Sequence, residues 1–102
     1  MVEKKEDILA VIRENRRKIE SFGVKKLGLF GSYVRNEQTS KSDIDLLVEF
    51  VSGKKSFDNF IHLSFLLEDL FLQHIELVTI DSLSPYIKPY IVKEVEYVIS
   101  HA

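Results

Sequence analysis

The chain has 102 residues, no cysteine and a net charge of −2, with 45 % hydrophobic and 29 % charged residues. A length like this builds one modest core, so residues 1–102 are expected to form a single domain. The slight acidity argues against a general nucleic-acid binder, and the missing cysteines exclude a disulfide framework and thiolate chemistry.

The start, MVEKKEDILAVIRENRRK, has no apolar run of signal-peptide length. Over residues 4–22, Ile8, Leu9, Val11, Ile12, Ile19 and Phe22 recur at helical spacing, and Gly23 supplies a stop. Val24 to Phe30 reads as a strand, and Ser32 to about Glu37 as a short helix or turn. NEQTSKS has the composition of a loop. Asp43 to Val51 reads as a second strand. Ser56 is placed to cap a long helix through about Leu72, with Asp58 in its first turn. That helix contains His62, Glu68 and Asp69, so it does not read as a membrane span. A cytoplasmic protein without membrane contact is the expectation. Ile75 to Ile80 reads as a third strand. Pro89 suits the first turn of a last helix running to about His101. The expected order is αβαβαβα, an α/β (α+β) domain with a small mixed sheet flanked by helices.

Chemistry enters at Asp43-Ile44-Asp45. Side chains two apart on a strand share a face, with Cα atoms roughly 6.5 Å apart. Two carboxylates on one face repel, and a divalent cation relieves them; Mg²⁺ takes oxygen ligands, commonly one or two carboxylates plus substrate phosphates. A lone Asp-x-Asp also suits a solvated strand start. Gly31-Ser32 follows the first strand. Free N–H groups at a helix N-terminus attract phosphate, and Arg35 lies one turn on; a plain capped turn is the alternative. Combined, the two features describe a nucleoside triphosphate–Mg²⁺ site.

The stretch GSYVRNEQTSKSDIDLLVEF resembles the signature of the polymerase-β-like nucleotidyltransferase superfamily: Gly-Ser, ten residues, Asp, one residue, Asp. Its SDIDLLV is most similar to the minimal nucleotidyltransferases (MNT proteins). The C-terminal IELVTIDSLSPYIKPYIVKEVEYV resembles that family's last strand and helix. The resemblance implies a third acidic ligand from the next strand, usually an aspartate, and Glu76 takes that position. Asn36 stands where the family often has glycine, and asparagine tolerates a left-handed backbone.

The same resemblance implies two Mg²⁺ ions held by Asp43, Asp45 and Glu76, and ATP held by Gly31, Ser32 and Arg35. Transfer of AMP to a hydroxyl would follow. It further implies an antitoxin partnered with a HEPN-domain ribonuclease toxin, whose tyrosine receives the AMP. A non-catalytic antitoxin with a vestigial or ATP-sensing site is the alternative, and Glu76 in place of aspartate is the feature that keeps it open.

The apolar residues of helix 57–72 spread wider than the usual stripe of about 100°. They suit a central packed helix, with an oligomer or partner surface as the second reading. His62 and His74 lack metal-ligand spacing and read as structural or surface groups. Tyr86, Tyr90 and Tyr97 lie at helical spacing and read as packing.

Overall fold

The computed structural model describes residues 2–101. Helix α1 (Lys5–Glu14) buries Ile8, Leu9 and Ile12, the stripe its periodicity announces. One helix over 4–22 is expected, but Asn15 divides it. The Asn15 side chain donates to the Val11 carbonyl at 2.8 Å, a carbonyl that also accepts the Asn15 backbone N–H at 3.2 Å, so the residue turns back on its own helix. A short α2 (Arg16–Glu20) follows, and Gly23, at φ +85, turns the chain into the sheet.

The sheet has four strands in the order β3-β2-β1-β4. Strand β1 (Val24–Phe30) runs antiparallel to β2 (Ile44–Phe50). Helix α3 (Phe57–Phe71) carries the chain back so that β3 (Ile75–Thr79) pairs parallel to β2. Ser56 caps α3 as its position suggests, its Oγ accepting from the Asn59 N–H at 3.1 Å. A cap of this kind contributes about 1 kcal/mol. At the other end Leu72 takes a left-handed conformation, φ 55, with its side chain 88 % exposed.

Two expectations are corrected at the C-terminus. The helix expected from Pro89 to about His101 is α4 (Lys88–Glu94), and it stops seven residues early. Val95 is extended (φ −60, ψ 135), and β4 (Glu96–Ser100) pairs antiparallel with β1. Tyr97 therefore lies on a strand, off the helical line of Tyr86 and Tyr90. The physical cause is the second edge of β1, whose buried backbone groups need partners that only another strand provides. Tyr97, Val98 and Ile99 suit a half-buried strand. Residues 32–36 form a turn without a helix. The mixed α/β class stands; the order of elements gains a closing strand.

The sheet's two faces differ. On one, Ile8, Ile12 and Ile19 of the first helices and Leu63 and Leu67 of α3 pack on Leu27, Leu29, Ile44, Leu46 and Val48, all with no exposed surface. Each such side chain contributes roughly 1.5–3 kcal/mol relative to exposure. On the other, Ile91 of α4 covers Phe30 and Leu47, helped by Val78, Ile80, Leu83 and Val95. Gly28 permits that close cover: a Cβ there would lie 2.6 Å from Val95 Cγ2. Among the described residues, no helix is long and apolar enough to cross a membrane.

Candidate active site

The chain leaves β1 through Gly31, at φ +79. A Cβ on this residue would overlap Oδ2 of Asp45, so both the backbone hand and the available space require glycine. The next residues coil tightly. The Gly31 carbonyl accepts from the Arg35 N–H at 3.3 Å and the Ser32 carbonyl from the Glu37 N–H at 2.8 Å. Asn36 adopts φ 59, so the turn keeps its left-handed residue without glycine. Tyr33 anchors the turn from below: it is buried, and its hydroxyl accepts from Gln73 Nε2 at 3.3 Å. The amides of Ser32, Tyr33 and Val34 have no acceptor among the described residues. Three adjacent unpaired N–H groups make a ready anion cradle.

The strand register brings two of the expected carboxylates side by side. Asp45 pairs with Phe30 across the β1–β2 ladder, and Asp45 and Glu76 are direct Cα partners on β2 and β3. Neighbouring strands lie about 4.8 Å apart. Alternation puts Asp45 and Glu76 on the α4 face, with Leu47 and Val78. Asp43 precedes β2 by one residue and is exposed. It also borders a cavity of about 720 Å³ on the α1–α3 side, lined in part by Tyr33, Gln38, Gln73 and His74.

Asp45 is the strained member. Burial pushes its carboxyl up to about 6, and the negative charges of Glu76 and Asp43 add to the shift. Among the described residues, no three acidic or histidine side chains close into a metal cage. Asp45 and Glu76 share a sheet rim, Asp43 lies one residue before β2 on the cavity side, and Glu76 leans toward His74, its Oε2 lying 3.9 Å from His74 Nε2. His74 Nδ1 in turn lies 3.3 Å from Glu68 Oε2. The donor chemistry nonetheless fits a hard divalent cation: oxygens only, on adjacent strands, with a mutual repulsion that a cation removes.

One residue of the site is invisible in the sequence. Glu94, the last residue of α4, accepts from the Gly31 N–H through Oε2 at 2.7 Å. Its two oxygens also accept from Arg35 Nη1 at 2.9 and 3.1 Å. Arg35 Nε donates to Glu37 Oε1 at 2.8 Å. Two donors expected at the phosphates, Gly31 N–H and part of the Arg35 fork, are thus engaged by a protein carboxylate, whereas the cradle amides and Ser32 are not. Glu94 follows Gly31 by 63 positions, and no local pattern marks it.

A nucleotidyltransferase domain model matches residues 9–98. Over 87 residues the chain is 41 % identical to a Methanocaldococcus jannaschii protein grouped with the protein adenylyltransferases, covering 81 % of this chain and 92 % of that one. It is 38 % identical over 94 residues to the protein adenylyltransferase MntA of Thermococcus cleftensis, covering 91 % and 94 %. A solved structure classed with the minimal nucleotidyltransferases superposes with a TM-score of 0.70 at 28 % identity, covering 86 % of this chain and 93 % of that one. The complex of a tri-AMPylated Shewanella oneidensis HEPN toxin with its MNT antitoxin shares the fold, with a TM-score of 0.58 at 20 % identity over 87 % and 72 %. The chain belongs to the nucleotidyltransferase domain family, in its minimal, protein-adenylyltransferase branch.

Proposed function

We propose that this enzyme transfers AMP from ATP to a tyrosine hydroxyl of a HEPN-domain ribonuclease toxin, the new bond to the α-phosphorus replacing the α–β phosphoanhydride and pyrophosphate leaving, and acts as that toxin's antitoxin. The observation that carries the reading is the pairing of Asp45 with Glu76 beside a glycine turn whose next three amides are unpaired. The relatives' adenylyltransferase assignment and the AMPylated toxin in the complex of like fold support the donor and partner class.

In this reading Asp43, Asp45 and Glu76 hold Mg²⁺. When bound, it supplies charge neutralisation of the triphosphate and a lowered pKa for the acceptor hydroxyl. The amides of Ser32, Tyr33 and Val34, with the Ser32 hydroxyl, bind phosphate oxygens and orient the α-phosphorus toward the carboxylates. Gly31 makes that approach possible by leaving room for the Asp45 side chain. Arg35, fixed by Glu37 and Glu94, places positive charge behind the cradle. Below pH of about 6 a proton competes with the cation for Asp45. The acceptor reaches the rim from the α4 side, the face covered by the seven-residue α4 together with Ile80 and Leu83.

The test combines the purified protein, α-labelled ATP, Mg²⁺ and a HEPN-domain toxin from the same organism. Label should appear on a toxin tyrosine and vanish with Asp45→Ala; label that persists in this variant overturns the assignment. A binding-only antitoxin is the second reading, favoured by the lean of Glu76 toward His74 and away from a closed cage. It would show as full neutralisation of toxicity by Asp43→Ala.

A further inference from the structure

Glu94 sits where its charge is least welcome. It ends α4, and the C-terminal end of a helix carries partial negative charge, so a carboxylate there needs compensation from elsewhere. Its compensation is the glycine turn: one bond to the Gly31 N–H and a two-oxygen grip on Arg35 Nη1. The side chain is 23 % exposed, and the bond to the Gly31 amide is among the shorter ones in the molecule. The pairs to Arg35 are charge-assisted and roughly twice as strong as neutral ones.

We propose that Glu94 is a positioning residue for nucleotide binding, holding the 31–35 turn in the conformation that presents the Ser32, Tyr33 and Val34 amides. The inference rests on the nucleotide reading of the site. It assigns Gly31 and Arg35 a different duty from the one the sequence suggests. The Gly31 N–H and part of the Arg35 fork go to Glu94, and the phosphates meet the amides one to three residues beyond Gly31. The geometry is self-consistent on this point. Gly31 N–H has a single hydrogen and Glu94 already takes it, whereas the next three N–H groups are unspent. Arg35 is held at two edges of its fork, by Glu37 at Nε and Glu94 at Nη1, which locks its plane beside the turn. The Asp45 carboxylate lies against Gly31, so a turn that shifts also releases the first metal-facing side chain. Glu94 therefore links α4 to both halves of the site.

The experiment follows amides and affinity together, with the full chain and AMP-PNP–Mg²⁺ as the probe. In the wild type, the Gly31 amide should exchange slowly and stay protected when the probe is added, while the Ser32, Tyr33 and Val34 signals move. Glu94→Gln keeps an oxygen for the Gly31 N–H and should bind the probe within about threefold of wild type. Glu94→Ala should lose Gly31 protection and bind at least about tenfold more weakly while still folded, the scale seen when groups supporting a binding residue are removed. Unchanged affinity in folded Glu94→Ala would make the contact merely structural and overturn the proposal. Tighter binding in that variant, or loss of Gly31 protection in the wild type on adding the probe, would make Glu94 a competitor of phosphate and also overturn it. If Glu94→Ala does not fold, the wild-type amide response alone decides. If the wild type binds no probe, the nucleotide reading fails. The Gly31 amide in wild type and Glu94→Ala then shows separately whether Glu94 holds the turn.

Discussion

The two faces of this sheet are built to different standards. The face under α1, α2 and α3 is sealed by fully buried aliphatic side chains from three helices. Among the described residues, the face under α4 buries three large apolar side chains, Phe30, Leu47 and Ile91, and ends at the Asp45–Glu76 pair. Stability is concentrated on the first, and the proposed chemistry on the second. The division follows from topology. Asp45 and Leu47 alternate with Ile44, Leu46 and Val48 on the same strand, so one segment serves both faces. A half-buried charge is tolerated on β2 because the opposite face of that strand is packed beyond what the site disturbs.

Substitutions separate the two faces most sharply when taken from the largest effect down. Leu67→Ala, on the sealed face, should cost about 3 kcal/mol in urea unfolding, with nucleotide affinity of the folded protein unchanged. Gly31→Ala, on the rim, should cost about 2 kcal/mol for the forced positive φ and the clash with Asp45, and label transfer should be lost. A Gly31→Ala protein that keeps full transfer would show that the turn and Asp45 are not coupled.

Asp45→Asn should abolish transfer yet stabilise the metal-free fold by about 1 kcal/mol at pH 7, a figure discounted for the water that reaches this carboxyl. The sign follows from the proton. Asp45 titrates near 6 folded, against an ordinary value of 3.8 unfolded, so the native state holds the extra proton between those values. Wild-type stability from this group therefore rises as pH falls through 6 and saturates below the unfolded value. The advantage of Asp45→Asn should shrink across the same window in paired thermal melts. Mg²⁺ affinity of the wild type should fall there too, as the proton displaces the cation. The smallest change is Leu72→Gly. An exposed leucine at φ 55 carries strain that glycine does not, so a gain of about 0.5–1 kcal/mol is expected, with no effect on transfer.

Much of this arrangement is legible from local signals. Ser56, the ends of β1, and the Gly-Ser and Asp-x-Asp elements each announce themselves within a few residues. The Asp45–Glu76 pairing follows once β3 is placed parallel to β2. What is not legible depends on distant partners. Ile91, Val95, Val98 and Ile99 keep a helix-like spacing, and only the open edge of β1 makes the last two a strand. Asn15 divides the first helix through a side-chain bond that hydrophobic periodicity does not register. Glu94 acquires its role from Gly31 and Arg35, residues some sixty positions earlier. Whether Asp43, Asp45 and Glu76 gather around a cation depends on side-chain rotamers, which neither strand register nor residue spacing sets.

The closing strand also fixes when the protein can work. Because β4 pairs with β1 across most of the chain, and Glu94 stands just before it, a nascent polypeptide still within the ribosome lacks both the final ladder and the brace of its glycine turn. Closing so long a loop is slow compared with forming a helix. Completion of the sheet and of the turn that cradles anions therefore waits on residues 94–100, far along the chain from the strand they join.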